Sequence, residues 1–283
     1  MKHASSYALA ALTLGGVSRA AHAQAPAPGS ELRQATFTME SAVLKETRRI
    51  NVYVPPGYDA PGAKRFPVLY MPDGGMEEDF PHVALSVDSA IRAGEMRPAI
   101  VVGIENTERR RDMTGPTTVH ADSAIARHVG GSAAFRAFIR RELMPEVKRR
   151  YRTTRETAVM GESLAGLFVT ETLFLEPDLF DTYIALSPSL YWNKEELGKK
   201  AAARLRARPR LHATFYLSSA GDDIGPEAGR LADTIRANAP AGLRWQYHPR
   251  PDLRHATIYL GESPRALREA LPPAVRLLGR PAR

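Results

Sequence analysis

An α/β fold, with a mostly parallel sheet covered by helices on both faces, is predicted by three features of the chain. Short apolar runs recur along it, separated by segments with helical spacing, which is the pattern of repeated strand–helix–strand units. Two of those runs, residues 68–71 and 99–104, are apolar without alternation, as strands buried on both faces are. The third is size: 283 residues, 43% hydrophobic and 25% charged, suit one large domain. Such a domain buries roughly 70 to 75% of the surface its unfolded chain exposes.

In chain order, residues 1–23 read as a signal peptide. Lys2 gives the positive start, residues 7–17 an apolar stretch too short to span a bilayer, and Ala21-His22-Ala23 a small-residue cleavage site, with the cut after Ala23. A periplasmic or secreted location follows as an expectation. Residues 24–30 form a Pro/Ala/Gly-rich lead with nothing to bury and are expected to be disordered, leaving 31–283 as the folded domain. Strands are expected at 35–39 and 49–54, the second closed by Pro55-Pro56-Gly57-Tyr58, and then at 68–71 and 99–104. Ser132 opens a helix in which Phe135, Ile139, Leu143 and Val147 recur every four residues, with Pro145 expected to bend it. Further strands are expected at 157–160, 183–186, 213–217 and 243–247. Helical segments alternate with them at 164–175, 194–207, 226–238 and 264–277. No internal repeat is visible.

Composition excludes several chemistries. With no cysteine, thiol catalysis, cysteine zinc sites, iron–sulfur clusters and disulfide frameworks are ruled out, so a nucleophile must be Ser, Thr, Lys or a carboxylate. The formal net charge of +8 is spread along the chain rather than gathered with aromatics in one stripe, which argues against a nucleic-acid partner. The densest basic run, 199–210, reads as a solvated helix face. Beyond the signal segment no stretch is long and apolar enough to be a membrane span.

Chemistry appears after the strand near Val159. Gly161-Glu162-Ser163-Leu164-Ala165-Gly166 follows an apolar strand and precedes a helical pattern, the setting of a nucleophile elbow. Small residues on either side of Ser163 let a tight turn pass close to its neighbours, and the helix start behind it presents free N–H groups. Ala165 stands where the usual motif has glycine. The competing reading is a serine capping a helix in a Gly-rich turn.

A serine hydroxyl needs a base held by a carboxylate, in the chain order Ser, Asp or Glu, His. His212, His248 and His255 follow Ser163. His255, after the last strand and ahead of a C-terminal helix, is the preferred base, with His248 next. The acid is expected on the loop after strand 213–217, where Asp223 is favoured over Asp222, although either could close a turn or cap a helix. The oxyanion requires preorganised donors: the Leu164 N–H, and Gly75 or Gly74 from the loop after strand 68–71. That loop could equally be a plain Gly-Gly turn.

Several spaced blocks then carry a resemblance. They are Phe66 to Gly75, Val102 to Asn106 with Arg109-Arg110-Arg111-Asp112, Glu142 to Glu146, Gly161 to Phe168, and Phe180-Asp181 through Ser187-Pro188-Ser189-Leu190-Tyr191-Trp192. Together they resemble the putative-esterase group of α/β-hydrolases, which includes enterochelin (siderophore) esterases and relatives of esterase D. The resemblance covers nearly the whole mature chain. It implies an eight-stranded α/β-hydrolase fold, ester hydrolysis through an acyl-serine, and no metal or cofactor. It puts the nucleophile on Ser163 and the base on His255. Gly221-Asp222-Asp223 departs from the group's glycine-to-glutamate spacing, so the acid stays open between the two aspartates.

Arg110, Tyr191 and Trp192 follow strand ends and are candidates to line the pocket, suiting an anionic or aromatic acyl ester. Against this, Trp192 could plug the core, and Arg110 with Asp112 could fasten a loop. The partner expected is a small-molecule ester, and nothing signals a particular oligomer. Two other activities fit the same scaffold: acyl transfer to an alcohol, and ligand binding without catalysis.

Overall fold

A computed structural model describes residues 32–62, 64–222 and 225–273. The expected signal peptide 1–23, the lead 24–30 and Asp223 lie outside them. All eight expected strands form: β1 (Gln34–Ser41), β2 (Glu46–Tyr53), β3 (Phe66–Pro72), β4 (Ile100–Ile104), β5 (Thr153–Glu162), β6 (Thr182–Leu186), β7 (Ala213–Ala220) and β8 (Leu243–Arg250). They make one sheet in the order β1-β2-β4-β3-β5-β6-β7-β8. β1 pairs with β2 and β2 with β4 antiparallel, and every other pair is parallel. Parallel neighbours need crossovers, and helices supply them.

The helices are α1 (Phe80–Arg92), α2 (Arg109–Met113), α3 (His120–Ser123), α4 (Ser132–Phe138), α5 (Met144–Arg150), α6 (Ser163–Leu175), α7 (Trp192–Arg206), α8 (Gly225–Asn238) and α9 (His255–Ala270). Alternating side chains of the central strands feed two cores. Val68 and Tyr70 of β3 join α4 to α8 on one face, while Leu69 and Met71 join α1 and α9 on the other.

Three elements differ from the sequence reading. No helix was expected at α1, yet Val83, Ala84, Val87 and Ala90 form one buried stripe at helical spacing. Just before Pro145 one π-helical turn that the sequence reading did not foresee, Ile139–Leu143, joins α4 to α5 and accommodates the proline, which cannot donate an N–H. The last helix begins at His255, nine residues before the expected start, and runs through Pro264. The carbonyl that Pro264 leaves without an amide belongs to Leu260, 64% exposed, where water can serve it.

A buried ion-pair network fixes the loop after β4. Arg48, fully buried on β2, donates from Nη1 to Asp112 Oδ2 at 2.7 Å and Glu46 Oε1 at 2.8 Å, and from Nη2 to the Glu105 carbonyl at 2.9 Å. Arg111 closes it, donating to Asp112 and Glu46, each at 2.7 Å. Burial pushes the Glu46 carboxyl up, but the hydrogen bonds from Arg111 and Arg48 outweigh it and hold it at about 2. The residues thus secured, 105–112, border the site described next.

Candidate active site

β5 ends at Glu162 and α6 begins at Ser163 with no residue between them. That junction puts Ser163 in the left-handed region at φ 59°, where a side chain costs roughly 1–2 kcal/mol. Close packing leaves the turn no alternative. A Cβ on Gly161 would stand 2.6 Å from the Ala165 Cβ and 2.7 Å from its carbonyl carbon. Ala165, in place of the usual glycine, is fully buried there, and its Cβ and backbone together leave room only for glycine at 161.

The imidazole arrives from the far end of the chain. β8 ends at Arg250, and after a four-residue turn α9 starts at His255. Asp222, on the loop after β7, accepts the His255 backbone N–H at 2.9 and 3.0 Å, and the Arg254 N–H donates to Thr257 Oγ1 at 3.1 Å. So held, His255 Nε2 lies 3.0 Å from Ser163 Oγ and 3.3 Å from Glu162 Oε1. His255 Nδ1 is buried without a hydrogen-bond partner among the described residues. Thus the Asp222 contact with His255 is to the main chain, and Asp223 is outside the described residues. His248 points elsewhere, stacked on Tyr216 with Nε2 3.0 Å from Glu269, and His212 sits at the opposite end of β7.

Leu164 lies in the first turn of α6, where backbone N–H groups have no partner within the helix. The glycine loop is more committed than the sequence suggested. Gly74 N–H donates to the Ile104 carbonyl at 3.0 Å, and Gly75 N–H to Glu78 Oε2 at 2.7 Å. Gly74 runs so close to β4 that a Cβ there would be 2.2 Å from Ile104 N. Asn106 Nδ2 donates to Glu78 Oε1 at 2.8 Å and to Asp73 Oδ1 at 2.6 Å. Arg109 clamps Asp73 with two bonds, 2.7 and 2.8 Å. Burial first, and then the Asp73 charge, push Asp79 up to about 6. Next to it His82, lowered by burial, meets the Tyr259 ring edge-on at 4.7 Å.

The expected pocket residues separate. Arg110 is exposed, and Asp112 is fastened by Arg48 and Arg111 instead. Tyr191 is exposed, while Trp192 is buried with Nε1 donating to the Gly115 carbonyl at 2.8 Å. Trp192 forms one wall, with Leu167 and Leu197, of a cavity of about 220 Å³. Among the described residues no His, Asp and Glu cluster could hold a metal ion, and no helix is long and apolar enough to cross a membrane.

The putative esterase family model matches residues 41–242. The chain belongs to the putative esterase family. It is accordingly a carboxylic ester hydrolase. Ferri-bacillibactin esterase BesA of Bacillus subtilis is 33% identical over 274 residues, covering 87% of this chain and 91% of BesA. An IroE-like serine hydrolase from Shewanella oneidensis superposes with a TM-score of 0.75 at 26% identity, over 84% of this chain and 79% of that one. Siderophore hydrolase EstB from Aspergillus nidulans, at 21% identity and a TM-score of 0.70, over 87% of this chain and 98% of that one, shares the fold.

Within this esterase, sequence reasoning missed two neighbours of Ser163 and one residue of the adjoining glycine loop. Ser189 Oγ is 3.3 Å from Ser163 Oγ, and its N–H donates to the Ser163 carbonyl at 3.0 Å. Its signal was the Ser187-Pro188-Ser189 block after β6, at the same end of the sheet. Glu162 was legible only as the residue before Ser163. Arg109, one position from Arg110, is the arginine tied to the glycine loop, a distinction that needs the short α2 to be seen.

Proposed function

We propose that this esterase works through an acyl-serine on Ser163 with His255 as base, and that it is exported by the segment 1–23 to act outside the cytoplasm. The observation that carries the reading is the 3.0 Å approach of His255 Nε2 to Ser163 Oγ across ninety-two positions of sequence. In the cycle, Oγ attacks the ester carbonyl and its proton passes to Nε2, while the carbonyl electron pair moves onto oxygen. The Leu164 N–H meets that oxyanion, and the glycine loop, whose Gly75 N–H donates to Glu78 in this structure, is the proposed source of the second donor. Collapse returns the proton from Nε2 to the leaving alkoxide, and water repeats the sequence to free Ser163. Asp222 serves by fixing the His255 main chain.

The substrate we propose is a siderophore-type or aromatic acyl ester. The name of BesA supports the first, and the exposed Tyr191, two residues past the Ser189 that meets Ser163, supports an aromatic group. The test is a p-nitrophenyl ester series of increasing acyl length, run beside feruloyl esters and a catecholate siderophore, with Ser163→Ala as control. A fluorophosphonate should label Ser163. Activity surviving in the control, or an unlabelled wild type, overturns the reading.

A further inference from the structure

We infer that Glu162 is the charge partner of His255 during turnover, a positioning residue that steadies the protonated imidazole from its Nε2 side. This rests on the reading of Ser163 and His255 as the reacting pair. Three observations converge on it. Glu162 Oε1 stands 3.3 Å from the same Nε2 that meets Ser163 Oγ. Both side chains are mostly buried, 14% and 28% exposed, so their attraction is less screened than in water. The usual place for an acid, Nδ1, is buried without a partner among the described residues, and Asp222 holds the main chain of His255.

The chemistry follows from the positions. When the Oγ–H bond breaks and the Oγ–C bond forms, the proton lands on Nε2 and the imidazole becomes a cation 3.3 Å from a carboxylate. Glu162 neither gives nor takes a proton. It stabilises the cation in the addition step and releases it when Nε2 protonates the leaving oxygen, which is stabilisation present in the transition state and absent before it. One turn delivers both groups, because Glu162 is the last residue of β5 and Ser163 the first of α6. Among the described residues, charged groups around the pair include Arg109 from α2, Asp73 and Asp79 from the β3–α1 connection, and Asp222 on the His255 main chain. Arg109 is held in a two-bond clamp by Asp73.

The test is steady-state hydrolysis of p-nitrophenyl acetate by Glu162→Gln, which keeps shape and removes charge, and by Glu162→Asp, which keeps charge and shortens the reach. Glu162→Gln is expected to lose roughly 30- to 100-fold in kcat with KM within about twofold, and Glu162→Asp to recover part of the loss. A kcat within about threefold of wild type in Glu162→Gln overturns the inference, as does a loss carried by KM alone or no recovery in Glu162→Asp. Fluorophosphonate separates the two levels. Wild type that is labelled while Glu162→Gln keeps its kcat sinks the inference alone, whereas unlabelled wild type sinks the Ser163 reading with it.

Discussion

Among the turns that hold non-glycine residues in the left-handed region, two are held by different forces. At the β5–α6 junction one residue, Ser163, is left-handed, and close packing between Gly161 and Ala165 enforces it. At the start of α7 three in a row are, Asn193, Lys194 and Glu195, with φ of 49°, 56° and 62°. There the restraint is polar. The Asn193 N–H donates to Asp122 Oδ2 at 2.8 Å, Asn193 Oδ1 accepts from the Thr118 N–H at 3.1 Å, and Arg230 grips Glu195 at 2.9 Å. A packing lock needs small residues at fixed near spacings and so leaves a motif in the chain. A polar clamp is built from residues thirty-five to seventy-five positions away and leaves none.

The comparison can be broken most sharply at the first turn. Ser163→Ala should cut ester hydrolysis by about 10⁴-fold while the melting temperature stays level or rises. A loss under tenfold would remove the elbow from the catalytic account. Gly161→Ala should cost about 2–3 kcal/mol in urea denaturation through the clash with Ala165. Adding Ala165→Gly should recover only part of that, since the residue-165 backbone stays 2.7 Å from the new Cβ, and an unchanged stability in Gly161→Ala itself would show that packing is not the lock.

At the second turn the effects are smaller. Asp122→Ala should destabilise by about 1–2 kcal/mol, with esterase activity held within about threefold. Lys194→Gly should stabilise by about 1 kcal/mol, since glycine adopts positive φ without the Cβ penalty. Destabilisation there would mean that the side chain, rather than the clamp, supports the turn.

The smallest effect is a pH slope near the first turn. Because Asp79 titrates at about 6 against an ordinary 3.8, the fold binds a proton that the unfolded chain has already released. Its contribution to stability is present at low pH and is lost as pH rises through about 6. Denaturation midpoints at pH 4.5 and 7.5 should therefore converge in Asp79→Asn relative to wild type, and an unchanged difference would assign the slope to other groups.

How much could be read from the chain follows the same division. All eight strands were legible, because runs such as Val68 to Met71 are buried on both faces and carry no competing pattern. The two residues that meet at 3.0 Å were legible because strand–turn–helix context constrains a nucleophile, and chain order constrains its base. The start of α9 was not, since Pro264 reads as a first-turn residue when nothing local says that the helix continues back to His255. Nor was the engagement of Gly75 by Glu78, a side-chain contact three residues along that looks identical in sequence to a free glycine turn. Trp192 stayed open between pocket and core in the sequence, because its hydrogen-bond partner Gly115 lies in a different loop.

The pairing of β7 with β8 runs unbroken from Ala213 opposite Leu243 to Ala220 opposite Arg250. Asp222 lies two residues past the last rung on one strand and His255 five past it on the other, so both inherit their height above the sheet from that ladder. A slip of one rung would carry the imidazole about 3.3 Å along the strand axis and turn each β8 side chain to the opposite face. The ladder is therefore a ruler for the approach of His255 to Ser163. Changes in the 239–242 connection, distant from any substrate, would be felt at Ser163 as an error of alignment.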